Sequence, residues 1–316
     1  MNLLAAVDLY LGAKRSLGAV FSAEQRILRS FMRAVGDIPL AAITVEMCSS
    51  FCMAGAAPTQ FSVRKHYALH AFFRYLRGRG EIAIIPLPTV GPRVTFTFEP
   101  YIYSLDELRR LLDATEILAT SRVPLPPQTV RMLLLVLYAA GLRAGEGLRL
   151  ERSDVDLAQR TLVIRNTKFF KSRVVPIGSS LTETLHAYCA RQPEQAHNGS
   201  AAARFFTTAA GKTISLAQLE NAFVRVRRHA GIQRPSTDRW QPRLHDMRHS
   251  FAVHRLLSWY RAGIDVQAHL PLLATYLGHV NLSGTQKYLT LTPQLLAEAA
   301  HRFERYAEGN PEVRHD

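Results

Sequence analysis

Between about residues 86 and 100 the chain carries Pro86, Pro88, Gly91, Pro92 and Pro100, and no apolar period survives across them. A proline lacks the amide hydrogen that a helix interior or a central strand needs, and its ring fixes φ, so prolines this closely spaced forbid both elements. The segment 86–100 therefore reads as a linker with extended stretches. It divides the 316 residues into a shorter part, 1–85, and a longer part, 101–308, each able to bury a core of its own. Residues 309–316 read as a disordered tail.

The shorter part is all-helical in pattern. Leu3 to Tyr10, Ser22 to Val35, a short segment from Thr44, and a strongly apolar run through Tyr67, Leu69, Phe72, Phe73, Tyr75 and Leu76 each read as helix. Ser22 and Thr44 are expected N-caps, and Gly36 and Gly80 expected stops. The longer part opens at Ser104, a capping residue followed by Asp106 and Glu107, acidic groups that suit the positive end of a helix. An apolar helix runs from Val130 through Tyr138 and ends at Gly141. Thr161–Arg165 and Ser172–Ile177 alternate and are rich in β-branched residues, which predicts a hairpin with Lys168 and Lys171 near its tip. Helix follows at Leu216–Ala230, through Leu257 after His245, and over Leu270–Leu277, which stops at Gly278. Ser283 and Gln286 have capping-box spacing and predict a further helix that carries Tyr288. The fold class is mainly α with a small β-sheet or hairpin.

Charge limits the partner. Lys and Arg number 39 against 25 Asp and Glu, a formal +14, which favours a polyanion: nucleic acid or an anionic membrane surface. No run of eighteen apolar residues exists, so no membrane span is expected, and the first residues lack the basic start of a signal peptide. The three cysteines make no disulfide framework, and Cys48 and Cys52, four apart, read as buried thiols. A cytoplasmic protein is expected. Arg64 and Lys65 sit among basic residues interleaved with the apolar pattern, where a solvated helix face and a DNA contact account for them equally. Arg225, Arg227, Arg228, His229, Arg234, Arg239 and Arg243 make the approach to His245 the most basic stretch, as backbone-tracking contacts would require.

The residues suited to chemistry gather between Leu244 and Tyr288. His245 and Arg248, three apart on a helix, face one way; a guanidinium forks onto two oxygens of a phosphate and an imidazole can exchange a proton near neutral pH. His279 follows on the turn after Gly278. Taken singly, such a histidine is more often a satisfied core group and such a tyrosine more often packing. Arg143, in Gly141-Leu142-Arg143-Ala144-Gly145-Glu146-Gly147, is a charge where one buried helix turns into another; it needs either an ion pair with Glu146 or an anion.

In order and spacing, His245-x-x-Arg248, Leu277-Gly278-His279 and Tyr288 nine positions on resemble the C-terminal signature of the tyrosine recombinases, the phage integrase family of DNA breaking and joining enzymes. The resemblance implies an N-terminal helical core-binding domain and a C-terminal catalytic domain, joined by a linker that lets them close around DNA. Arg143 matches the family's first catalytic arginine, and counting back from Arg173-Val174-Val175-Pro176 puts its lysine at Lys168, with Lys171 as the alternative. Gly145 and Gly147 depart from the family's pattern around Glu146 and predict a looser hold on Arg143. By the same resemblance Tyr288 attacks a scissile phosphodiester to give a 3′-phosphotyrosyl link. Arg143, Arg248 and His279 hold its oxygens, Lys168 protonates the leaving 5′-oxygen, and His245 helps take the tyrosine proton. Arg64, Lys65, Lys171, Arg173 and Arg243 are expected on DNA. No metal or cofactor is called for. A tetramer on two DNA sites is implied, with the helix Pro293–Tyr306 mediating assembly, and accessory proteins are left open. Three other readings stand beside this one: a type IB topoisomerase, a non-catalytic DNA-binding protein of the same fold and, more distantly, a membrane-surface protein.

Overall fold

The computed structural model divides into two compact units, Met1–Phe98 and Glu99–Asp316. It describes residues 1–17, 21–53, 57–94, 99–120, 125–165, 172–191, 202–236, 238, 240–279, 281, 283–290, 297 and 300. Lys168, Lys171, Arg239, most of the expected helix at 293–306 and the expected tail lie outside the described residues.

In the first unit four helices surround one core: α1 (Leu3–Ser16), α2 (Ser22–Val35), α3 (Val45–Met53) and α4 (Gln60–Gly78). Tyr10, Phe31, Phe72 and Phe73 are all but fully buried there, with Tyr10 and Phe31 packed edge-on against aromatic rings of α4. Ser22 turns out to be the first helical residue of α2, not its cap; Phe21 precedes it with φ of 33°. At α4 Thr59 and Ser62 cap each other's backbone reciprocally, satisfying two amides that a helix start leaves open. The first residues after Gly80 do not hang free. Leu87 belongs to the core, and Gly91 lies so close to α4 that a Cβ there would stand 2.8 Å from the His66 ring. The early part of the expected linker is thus packed onto the helical unit.

The second unit begins with α5 (Leu105–Asp113), capped by a Ser104–Glu107 box, and a 3-10 turn over Ala114–Thr120. The apolar helix α6 spans Pro127–Ala139; it starts before Val130 because a proline at the first helical position has no amide to lose. Short α7 (Ala144–Arg149) leads to a three-stranded antiparallel sheet in the order β1 (Val155–Asp156), β2 (Thr161–Ile164), β3 (Arg173–Pro176). β2 and β3 are the two arms expected of the hairpin, with Leu162 opposite Val175 and Ile164 opposite Arg173. Two-residue β1 is too short to leave a period. Helices α8 (Ser179–Ala190) and α9 (Leu216–His229) complete a core in which Leu133, Leu137, Ile164, Val175, Phe223 and Val226 are buried together.

A second cluster, of Phe251, Leu256, Leu270, Leu277 and Tyr288, holds α10 (Asp246–Arg261) to α11 (Val266–Leu277). α11 begins four residues before Leu270, where the Asp265 carboxylate accepts the amides of Gln267 and Ala268, and it tolerates Pro271 inside. Ser283 lies within α12 (Ser283–Gln286) instead of capping it; the Asn281 side chain takes the Gly284 amide at 3.3 Å. The chain then tightens, so Tyr288 sits on a 3-10 turn, Lys287–Thr290, and not on a regular α-helix. No helix of the described residues is long and apolar enough to cross a membrane.

Candidate active site

Two helix ends and one strand build the site. α6 runs out at Gly141, whose φ of +59° and crowded surroundings both demand glycine: a Cβ would meet Phe251 at 2.6 Å and Leu277 at 2.9 Å. α11 runs out at Gly278, φ +68°, where a Cβ would stand 2.8 Å from an Arg173 guanidinium nitrogen. Into the space between these ends α10 sends Arg248. It is 2% exposed and donates to the Gly141 carbonyl at 2.8 Å and the Leu277 carbonyl at 2.6 Å. Carbonyls at the ends of helices carry partial negative charge, so each is a good acceptor for a buried cation.

Glu146 is the counter-charge. Its carboxylate accepts from Arg143 at 2.8 Å and from Arg173 at 3.1 and 2.9 Å, and lies 3.8 Å from Arg248. Burial by itself would raise its pKa; the hydrogen bonds and charges of Arg173 and Arg143 outweigh burial and bring it down to about 2. The looser hold on Arg143 expected from the flanking glycines is absent. Gly147 instead lets α7 seat on α6, since a Cβ there would come within 2.9 Å of Leu137 and 3.0 Å of Leu133. Of the two alternatives for Arg143 the ion pair with Glu146 is present, and its side chain is still 38% exposed.

Tyr288 is 3% exposed, and its hydroxyl lies 3.2 Å from Nδ1 of His249. Burial raises its pKa, while the charge and hydrogen-bonding contact of Arg248, and the charge of Arg143, pull it back. His279 stacks along Tyr288, ring centroids 6.1 Å apart, and its Nδ1 is 2.6 Å from the buried Thr285 hydroxyl. Its pKa is down at about 4, first from burial and then from Arg248, Arg143 and Arg173. His245, at the N-cap of α10, is also lowered, by burial and then by Arg248 and Arg243.

Among the described residues, three guanidinium groups, Arg143, Arg173 and Arg248, thus gather on the Glu146 carboxylate, a surplus of two charges, and Arg248 and Arg143 act on Tyr288. With a tyrosine hydroxyl and neutral imidazoles alongside, the arrangement suits an anion that reacts with an oxygen nucleophile, as a phosphodiester does. The structure brings Arg143, His245, Arg248, His279 and Tyr288 into this one neighbourhood; Lys168 lies outside the described residues.

The profile of the phage integrase family matches residues 103–294. The chain belongs to the phage integrase family. The tyrosine recombinase XerC of Syntrophus aciditrophicus is 30% identical over 257 residues, covering 78% of this chain and 74% of that one. A Sinorhizobium fredii protein named as an integrase/recombinase is 35% identical over 304 residues, 95% and 96% of the two chains. In fold the chain is similar to lambda integrase, solved as a dimer bound to a COC′ core site (TM-score 0.65, 18% identity, 90% of this chain and 97% of that one). The same integrase solved as a tetramer bound to a Holliday junction gives a TM-score of 0.65 at 17% identity, over 91% and 77%.

For this tyrosine recombinase the residues expected on DNA fall into different surroundings. Arg64 is exposed, 3.9 Å from Glu24. Lys65 instead donates to the Phe51 carbonyl at 2.8 Å and lies over the Phe51 ring. The guanidinium of Arg173 is taken up by Glu146 and, at 2.9 Å, by the Tyr276 carbonyl, so a DNA contact from it has no support in the geometry. Arg243 bonds Asp246 at 2.9 Å, and buried Arg227 bonds Ile232 and Gln241. The basic approach to His245 therefore holds the fold as well as carrying charge. Lys171 lies outside the described residues. Sequence reasoning missed His249 and Thr285. The only signal for His249 was its place four after His245, on the same face of α10.

Proposed function

We propose that this tyrosine recombinase cleaves and rejoins DNA at specific sites through Tyr288. The observation that carries the reading is the buried Tyr288 hydroxyl beside Arg248, next to a cluster of arginines gathered on Glu146. In this reading the phosphodiester enters among Arg143, Arg248 and His279. Their donors bind the non-bridging oxygens and stabilise the charge that builds as the Tyr288 oxygen attacks phosphorus, ordinarily the main source of rate enhancement in such catalysis. The 5′-oxygen leaves and the 3′-phosphate stays on the protein. Because one phosphodiester replaces another, rejoining needs no outside energy source. Lys168 is assigned the leaving-group proton, worth roughly 10²–10⁴ in rate.

The formal charge of +14 supports DNA as the partner, and exposed Arg64 supports a contact from the helical unit. Assembly as a tetramer on two DNA sites, in the cytoplasm, with the segment 293–306 joining protomers, completes the proposal. That lambda integrase has been solved as a dimer and as a tetramer on DNA supports the assembly. The relationship to XerC over 74% of that chain favours recombination over a topoisomerase, and an intact nucleophile cluster favours an enzyme over a DNA-binding relic.

The test is a covalent protein–DNA band on a denaturing gel, from nicked suicide substrates built on candidate inverted repeats sought beside the gene, in EDTA. Wild type should give the band and Tyr288→Phe should not. Equal bands from both would remove Tyr288 as nucleophile.

A further inference from the structure

Two imidazoles on α10 stand near the nucleophile, and the geometry separates their tasks. His249 Nδ1 is 3.2 Å from the Tyr288 hydroxyl, with the two rings 5.5 Å apart. His245, one turn earlier, packs edge-to-face with His249 at 4.9 Å. We infer that His249 is a catalytic residue of this recombinase: its Nδ1 accepts the Tyr288 hydroxyl hydrogen, fixes the nucleophile and takes its proton as the oxygen bonds to phosphorus. The inference rests on the reading of Tyr288 as nucleophile. It moves to His249 the task that family resemblance gives to His245.

A buried hydroxyl must donate to something, and a neutral imidazole accepts only at its bare nitrogen. The groups that bear on His249 are His245 and Arg248 from its own helix, Arg243 just before it, and His279 and Tyr288 from beyond α11. None of these is a carboxylate. Burial and those neighbours hold its pKa down at about 3, so the ring is neutral at neutral pH, and with its one proton on Nε2 its Nδ1 accepts. So low a value would make a feeble base were nothing to change. The scissile phosphate works against part of this, because an anion entering beside Arg248 offsets one of the cations that add to burial in keeping His249 low. The partner that orients Tyr288 at rest thereby becomes a better base only when the substrate is present.

In the step itself the Tyr288 O–H bond breaks and an Nδ1–H bond forms on His249. The Tyr288 oxygen bonds phosphorus, the P–O5′ bond breaks, and the 5′-oxygen takes a proton from Lys168. Rejoining reverses each transfer: the 5′-hydroxyl attacks, and Tyr288 recovers its proton from His249.

The experiment compares wild type, His249→Asn and His249→Leu in single-turnover formation of the covalent band, across pH 5.5–9. Gel shift and melting temperature are measured on the same preparations. An asparagine oxygen can stand where Nδ1 stands, so His249→Asn keeps the acceptor without the basicity; leucine removes both. His249→Leu should cleave about 10²–10⁴ times more slowly with DNA binding intact. His249→Asn should recover part of that loss but show a rate that keeps rising with pH where wild type has levelled off. Cleavage by His249→Leu within about threefold of wild type would overturn the inference. So would a His249→Asn profile superimposable on wild type, and that comparison decides the matter even if the leucine variant does not fold. A wild type that binds DNA but forms no band would overturn the nucleophile reading, and this inference with it.

Discussion

Replacing Glu146 by Gln keeps the side chain's shape and deletes the negative charge that Arg143, Arg173 and Arg248 share. The loss can be sized in two ways. Its surroundings lower the carboxyl from its ordinary 4.5 to about 2, which corresponds to about 3 kcal/mol. Removing one partner of a buried ion pair costs about 3–5 kcal/mol, because the charge left behind stays desolvated and unpaired. For a unit of this size each kcal/mol moves Tm by about 2–4 °C, so the transition of the second unit should fall by roughly 6–12 °C at pH 7. Scanning calorimetry on the full chain reads this directly. The pH dependence fixes the cause. A carboxyl lowered by folding stabilises fully above its unfolded pKa, and that contribution is lost as pH falls through the folded value. The gap between wild type and Glu146→Gln should therefore be level from pH 8 to 5.5 and shrink to under half by about pH 3. A loss under about 1 kcal/mol at pH 7, or a gap that does not shrink in acid, would refute the idea that one carboxylate holds the three arginines.

Two glycines should rank by crowding and conformation. Gly147→Ala presses a methyl onto Leu137 and Leu133 and should cost about 1–3 kcal/mol; Gly141→Ala adds a left-handed φ and a 2.6 Å approach to Phe251, so its Tm should fall further. Equal Tm values would count against the packing described. Arg64→Ala should weaken DNA binding at low salt and reduce the log–log salt slope by about 1 with Tm unchanged. Lys65→Ala, which loses its bond to the Phe51 carbonyl, should lower the Tm of the first unit. The opposite pattern in gel shift and melting would reverse the two assignments.

What the sequence made legible were the features written locally. Gly141 and Gly278 end helices by their own conformational freedom, and the alternation at Thr161–Ile164 and Arg173–Pro176 shows the two strands. Five of the candidate residues, Arg143, His245, Arg248, His279 and Tyr288, stood out by their order. What stayed hidden depends on partners far along the chain. Arg173, on a strand next to lysines, looks like a surface cation; its burial follows from Glu146, 27 residues away, and from the end of α11. His249 differs from any helix-borne histidine only through a tyrosine 39 residues on, which no local period announces. The tightening of the helix at Tyr288 was missed because cap spacing marks where a helix starts and is silent on how soon it becomes a 3-10 turn.

Arg248 grips carbonyls 107 residues before it and 29 residues after it. A chain still on the ribosome, short of Leu277, has that arginine and the Gly141 carbonyl but not the Leu277 carbonyl, and no Tyr288 at all. With Tyr288 as the nucleophile, synthesis must pass both the carbonyl that completes the grip on Arg248 and the tyrosine itself before DNA can be broken.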